Sequence, residues 1–173
     1  MNEREEAETV IDWTQGYSYE KYVAKGYGEE QDRQRRVDGR TIFSEAFLSA
    51  VRAVEKPVRL IAFAEVYCPD SVVAMPFVKK MAELNDRIHL AILPREHHVE
   101  ELEAATGVAR IPTFLFLDEE GVVRGKYVEL PEELRQRIRE SDSEERSMVV
   151  LEYRRGKHNA LIEKDLIACL ASF

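Results

Sequence analysis

The chain has 173 residues, of which 45% are hydrophobic and 34% charged, enough apolar material for one buried core. Its formal net charge of −8 argues against sequence-independent binding to DNA or RNA, where neutralising phosphate dominates affinity. No run approaches the roughly 18 apolar residues of a membrane span, and the two cysteines, Cys68 and Cys169, are too few for a disulfide scaffold or a four-thiolate zinc site.

The opening MNEREEAETV is charged and carries no apolar stretch, so no secretory leader is expected and the reducing cytoplasm is the expected compartment. Residues 1–56 read as a helical extension. Ser18 is a candidate N-cap for a short helix through Lys25, with Gly26 as its stop. Tyr17, Tyr19, Tyr22 and Tyr27 cluster there and are expected to pack on the domain body. Arg33, Arg35, Arg36 and Arg40 read as a solvated face or loop. Phe43, Phe47, Val51 and Val54 fall at helical spacing in a segment from Thr41 or Ser44 to about Val54.

Residues 57–173 read as the main domain, with added helices after about 130. The run Val58–Ala64 is a strand by composition, entered by Pro57. A helix is expected over Ser71–Asp86, with Val73, Phe77, Met81 and Leu84 on one face. A strand at Ile88–Leu93 and a helix at Arg95–Thr106 follow, closed by Gly107. Strands at Thr113–Leu117 and Val122–Val128 flank the turn Asp118-Glu119-Glu120-Gly121. Pro131 opens a helix carrying Leu134 and Ile138. The polar stretch 141–147 reads as a loop or frayed helix. The last helix begins near Asn159, with Ile162, Leu166, Cys169, Leu170 and Phe173 on one face. The first two strands should be parallel through a crossover helix and the last two antiparallel, an α/β arrangement.

One tetrapeptide carries chemistry: Cys68-Pro69-Asp70-Ser71, placed after a strand and at a helix start. Unpaired N–H groups and the helix dipole favour a thiolate there. Ser71 is positioned by sequence to donate to it. Asp70 and Glu65 are nearby carboxylates that oppose it, and the sequence does not decide between the two sides. Asp70 is read first as a helix cap and Glu65 as a surface carboxylate. Cys169 is read as a small core hydrophobe. His97 and His98 are adjacent and cannot share a helical face, so no metal site is expected, and His89 and His158 are isolated. Gly26 and Gly28 do not form a phosphate loop.

The stretch Val58–Val128 resembles thioredoxin. The resemblance rests on the strand–CxxX–helix junction with Tyr67 before the cysteine and on Pro76, eight residues after Cys68, inside the helix. It rests also on Gly107-Val108-Ala109-Arg110-Ile111-Pro112-Thr113, with Pro112 44 residues after Cys68, and on the antiparallel strand pair that follows. A narrower likeness, to a bacterial thioredoxin-like subfamily with a CPDC motif, has CPDS here. The resemblance implies a thioredoxin fold with a central mixed sheet of about four strands flanked by helices. It implies Cys68 as the attacking thiolate, Pro112 in cis, and backbone at Arg110 and Ile111 that pairs with an extended substrate, with Tyr67, Pro69 and Asp70 lining the contact.

Three departures qualify what it implies. Ser71 stands where the resolving cysteine belongs. Ala62, six residues before Cys68, stands where the family has a buried acid. The glycine expected beside the groove is replaced within Val128-Glu129-Leu130-Pro131. Two functions follow. One is a monothiol thiol–disulfide oxidoreductase without a bound cofactor, acting on a protein or small-molecule disulfide with an external thiol to finish the cycle. The other is a non-catalytic module that binds a protein or peptide in the same groove. An iron–sulfur carrier is disfavoured by Pro-Asp between Cys68 and Ser71, and a glutathione transferase by the short stretch after Val128.

Overall fold

A computed structural model of the chain describes residues 11–173. Four strands, β1 (Val58–Phe63), β2 (Ile88–Leu93), β3 (Thr113–Leu117) and β4 (Val123–Val128), form one sheet in the order β2-β1-β3-β4. The edge strand β2 pairs in parallel with β1, in register from Val58 opposite Ile88 to Phe63 opposite Leu93. Both β1 with β3 and β3 with β4 are antiparallel. Every residue of β1 but Arg59 is buried, because both sheet faces are covered. Leu60 and Ala62 join the larger core cluster, whereas Ile61 and Phe63 face a smaller one with Ile11, Leu93, Leu102 and Leu115.

Eight α-helices are described: α1 (Tyr19–Ala24), α2 (Gly28–Arg40), α3 (Glu45–Arg52), α4 (Pro69–Leu84), α5 (Val99–Thr106), α6 (Glu132–Glu140), α7 (Ser143–Arg154) and α8 (Asn159–Leu170). Side-chain oxygens set several of their starts. Ser18 accepts from the Lys21 N–H, Ser44 from Phe47 and Asp142 from Glu145. Gly107 closes α5 with a φ of 81°, the left-handed conformation that glycine adopts without steric cost. Among the described residues no helix is long and apolar enough to cross a membrane.

Several expectations are corrected. Of the two readings of the basic run, a solvated face holds and a loop does not: Arg33, Arg35, Arg36 and Arg40 all lie in α2, with Arg35, Arg36 and Arg40 exposed. That helix buries only Gln34 and Val37, so it lacks the apolar stripe that would mark it in the sequence. The polar stretch 141–147 is the capped first turns of α7, which buries Val149 and Tyr153. The region Arg95–Thr106 is split into a 3-10 turn at Arg95–His97 and then α5. Tyr22 is buried as expected, but Tyr27 is 84% exposed. Tyr17 and Ile92 exchange backbone hydrogen bonds of 2.7 and 3.1 Å, which gives the outer edge of β2 a short partner.

Candidate functional site

β1 delivers the chain to the start of α4. Cys68 is the N-cap of that 16-residue helix, with Pro69 in its first turn, where a missing N–H costs nothing. Pro76 lies inside α4 and has no N–H for the Val72 carbonyl. The buried Gln34 of α2 donates to that same carbonyl at 3.2 Å. Arg33, also on α2, donates to the carbonyls of Val66 at 3.2 Å and Tyr67 at 3.0 Å. The cysteine loop is therefore braced from behind by a helix of the N-terminal segment.

Facing Cys68 is the loop before β3, in which the Ile111–Pro112 peptide bond is cis. Cys68 Sγ lies 3.8 Å from the Ile111 carbonyl oxygen. Arg95 Nε donates to Ala109 O at 2.6 Å, and buried Thr113 donates to Arg110 O at 2.7 Å, so both ends of this loop are tied down. Cys68 is half-buried, Pro112 buried, Ile111 half-buried, and Pro69 and Arg110 exposed. Tyr67 is 59% exposed beside the thiol. The sequence-predicted residues Tyr67, Cys68, Pro69, Ile111 and Pro112 thus meet at one surface.

The two carboxylates weighed against the thiolate are both engaged. Asp70 is not a cap. It is buried in the first turn of α4 and holds Arg154 of α7, with Nε at 2.9 Å from one oxygen and Nη2 at 3.4 Å from the other. That pairing holds the Arg154 guanidinium further above its usual range. Glu65 is not a surface group. It is half-buried and accepts from the Arg95 N–H at 2.9 Å, and burial raises its carboxyl above the ordinary range.

Ser71 is fully buried, and its hydroxyl has no hydrogen-bond partner. The donation to Cys68 expected from sequence is not made. Ala62 is fully buried in β1 between Ile92 and Phe114, so an apolar methyl fills the place of the family's acid. Cys169 is buried on α8, and burial pushes its thiol up to about 12. Both cysteines are free. Among the described residues no cluster of three or more His, Cys, Asp or Glu side chains is placed to hold a metal.

A family model described as Thioredoxin matches residues 16–145. The chain belongs to the thioredoxin family. Among solved structures, this thioredoxin-family chain is similar to a crystal structure of an HIV epitope-scaffold, with a TM-score of 0.77 and 22% identity over 93% of this chain and 96% of that one. It is similar also to a protein of unknown function from Pseudomonas aeruginosa, with a TM-score of 0.77 and 21% identity over 92% and 94% of the two chains. Identities this low show the fold alone. No curated protein matches. The match from residue 16 takes in α1, α2 and α3, so the family pattern extends well before β1. Arg33, Gln34 and Arg154 are the site residues that sequence reasoning missed. Pro76 was the available signal for Gln34, because a proline within a helix leaves a carbonyl that some other donor must satisfy.

Proposed function

We propose that this protein performs thiol–disulfide exchange through Cys68 alone. The observation that carries this reading is the half-buried Cys68 sulfur at the start of α4, 3.8 Å from the carbonyl that precedes cis-Pro112. The Cys68 thiolate attacks one sulfur of a substrate disulfide, forming a Cys68–S–S–substrate bond as the other sulfur leaves as a thiolate. Ser71 cannot break that bond, because a hydroxyl does not displace a thiolate from a disulfide. An external low-molecular-weight thiol therefore attacks the substrate-side sulfur, forming a mixed disulfide with the substrate and regenerating Cys68 as thiolate, and a second external thiol attacks that mixed disulfide to release the reduced substrate and the external thiol's own disulfide. Two electrons pass from external thiols to the substrate over a complete reduction. Protein-bound cofactors have no part in the cycle. Two unpaired cysteines suit a reducing compartment such as the cytoplasm.

Steady-state reduction of a peptide disulfide should rise in proportion to the external thiol concentration and vanish in Cys68→Ser. A rate that does not depend on the external thiol would overturn the single-thiol cycle.

A second reading, a non-catalytic peptide-binding module, draws support from the apolar Ala62 and the unpartnered Ser71 hydroxyl, which leave no proton relay behind the thiol. It requires that Cys68→Ala bind a peptide substrate as well as the parent chain does. Loss of binding in that variant removes this reading.

A further inference from the structure

An open groove of about 1060 Å³ lies between the loop that precedes Pro112, the end of β4 and helices α6 and α7, and it reaches the cysteine site through Asp70, two residues after Cys68, and Arg110, the neighbour of Ile111. Five guanidinium groups line it: Arg110 from the loop, Arg135 and Arg139 from α6, and Arg146 and Arg154 from α7. Only two carboxylates, Asp70 and Glu129, line it with them. A chain of net charge −8 thus has a locally cationic groove next to its cysteine.

The five cations differ in how far they are already satisfied. Arg154 is held by Asp70, and Arg110 by Glu129 at 2.6 Å. Arg135 and Arg139 both turn to Glu132, which stands outside the groove lining. Arg146 donates to the Ser141 carbonyl at 3.0 Å and has no carboxylate partner among the described residues. Arg139 and Arg146 are exposed. The guanidinium fork suits bidentate recognition of carboxylates. Between the arginines the lining is apolar, with Val108 and Leu151 40% and 45% exposed.

We propose that this groove recognises an acidic polypeptide segment flanking the disulfide that Cys68 attacks. The proposal rests on the exchange reading above and names its substrate class. A polypeptide fits better than a small anion for two reasons. The cationic excess is spread over a loop and two helices, so one carboxylate cannot meet it. The volume lies just above the roughly 300–1,000 Å³ range of pockets that enclose small ligands, and here the space is open-sided. The remaining acidic surface repels such a partner and so directs it into the groove.

The test uses the whole protein and peptides whose single cysteine is held as a mixed disulfide with 2-nitro-5-thiobenzoate. The cysteine is flanked by glutamates, by glutamines or by lysines. Release of the coloured thiol reports attack by Cys68. The glutamate peptide should react faster than the glutamine peptide by about tenfold or more, and high salt should erase most of that advantage. The double variant R139E/R146E changes exposed side chains and leaves the core intact. It should reverse the preference toward the lysine peptide, whereas R139K/R146K should keep the original order. Equal rates for the glutamate and glutamine peptides would overturn the proposal. So would equal salt-sensitive acceleration with the small dianionic disulfide 3,3′-dithiodipropionate, which would assign the groove to a small anion.

Binding of the same sequences, with alanine replacing the cysteine, to Cys68→Ser is followed by fluorescence anisotropy and separates the two readings. Glutamate-selective binding without any exchange in the parent chain would sink the exchange reading and keep the groove assignment. Exchange without charge selectivity would do the reverse.

Discussion

Glu129, within the Val128-Glu129-Leu130-Pro131 stretch after β4, has a φ of 65°, in the left-handed region. Among the described residues it is the sole non-glycine with positive φ. A side chain there costs roughly 1–2 kcal/mol from the clash of Cβ with the following carbonyl. The position is fixed from both sides. The Glu129 N–H donates to the Pro112 carbonyl at 2.7 Å, and its carboxylate holds Arg110 at the groove. Replacing Glu129 by either glycine or alanine removes the Arg110 pair, so the difference between those variants isolates the backbone. Glu129→Gly should be more stable than Glu129→Ala by about 1 kcal/mol in urea unfolding. Equal stabilities would show that the conformation is not strained. Residue identities at this scale were partly legible in sequence. Cys68, Pro112 and the missing second cysteine were visible. The pairing of Asp70 with Arg154 was not, because 84 residues separate them and only the packing of α7 against α4 brings them together.

At the scale of elements, α8 closes the sheet through a contact with β4 that needs a glycine. A Cβ placed on Gly125 would lie 2.9 Å from the Cys169 Cβ and 3.0 Å from its Cα. Helix and strand backbones therefore touch at this point, and Cys169 serves as a small packing residue with its Sγ 3.6 Å from the Lys126 carbonyl. Gly125→Ala should destabilise the protein by about 1–3 kcal/mol, the usual cost of overpacking, read as a lower urea midpoint. An unchanged midpoint would mean that α8 is free to shift away from β4. The strands were legible almost to the residue, since β-branched and aromatic runs bounded by turn residues mark them well. Helices with an apolar stripe, such as α3 and α8, were legible for the same kind of reason. Helix α2 was not. Its function is polar, with Arg33 and Gln34 donating to the backbone around Cys68, and such a helix carries no hydrophobic period.

At the scale of the molecule, the described chain joins the mixed sheet, α4 and the cis-proline loop into a thioredoxin-family site. It alters what surrounds that site. Ser71 is buried without a partner among the described residues, Ala62 fills the acid's place, and Arg154 pairs with the Asp70 carboxylate. In the proposed cycle these changes leave an attacking thiol without a resolving partner. The arginine groove escaped sequence reading because its members come from separate segments and are interleaved with glutamates, so no local run of positive charge announces them. In the proposed cycle Cys68 attacks and no second sulfur of the chain resolves the product. The most direct test of this cycle is the intact mass of the native protein after one equivalent of a peptide disulfide, with no other thiol present. A single adduct should map to Cys68, persist until external thiol is added, and be shed unaided once Ser71→Cys supplies the second sulfur. An adduct on Cys169, no adduct at all, or one that the unaltered chain sheds by itself would contradict it.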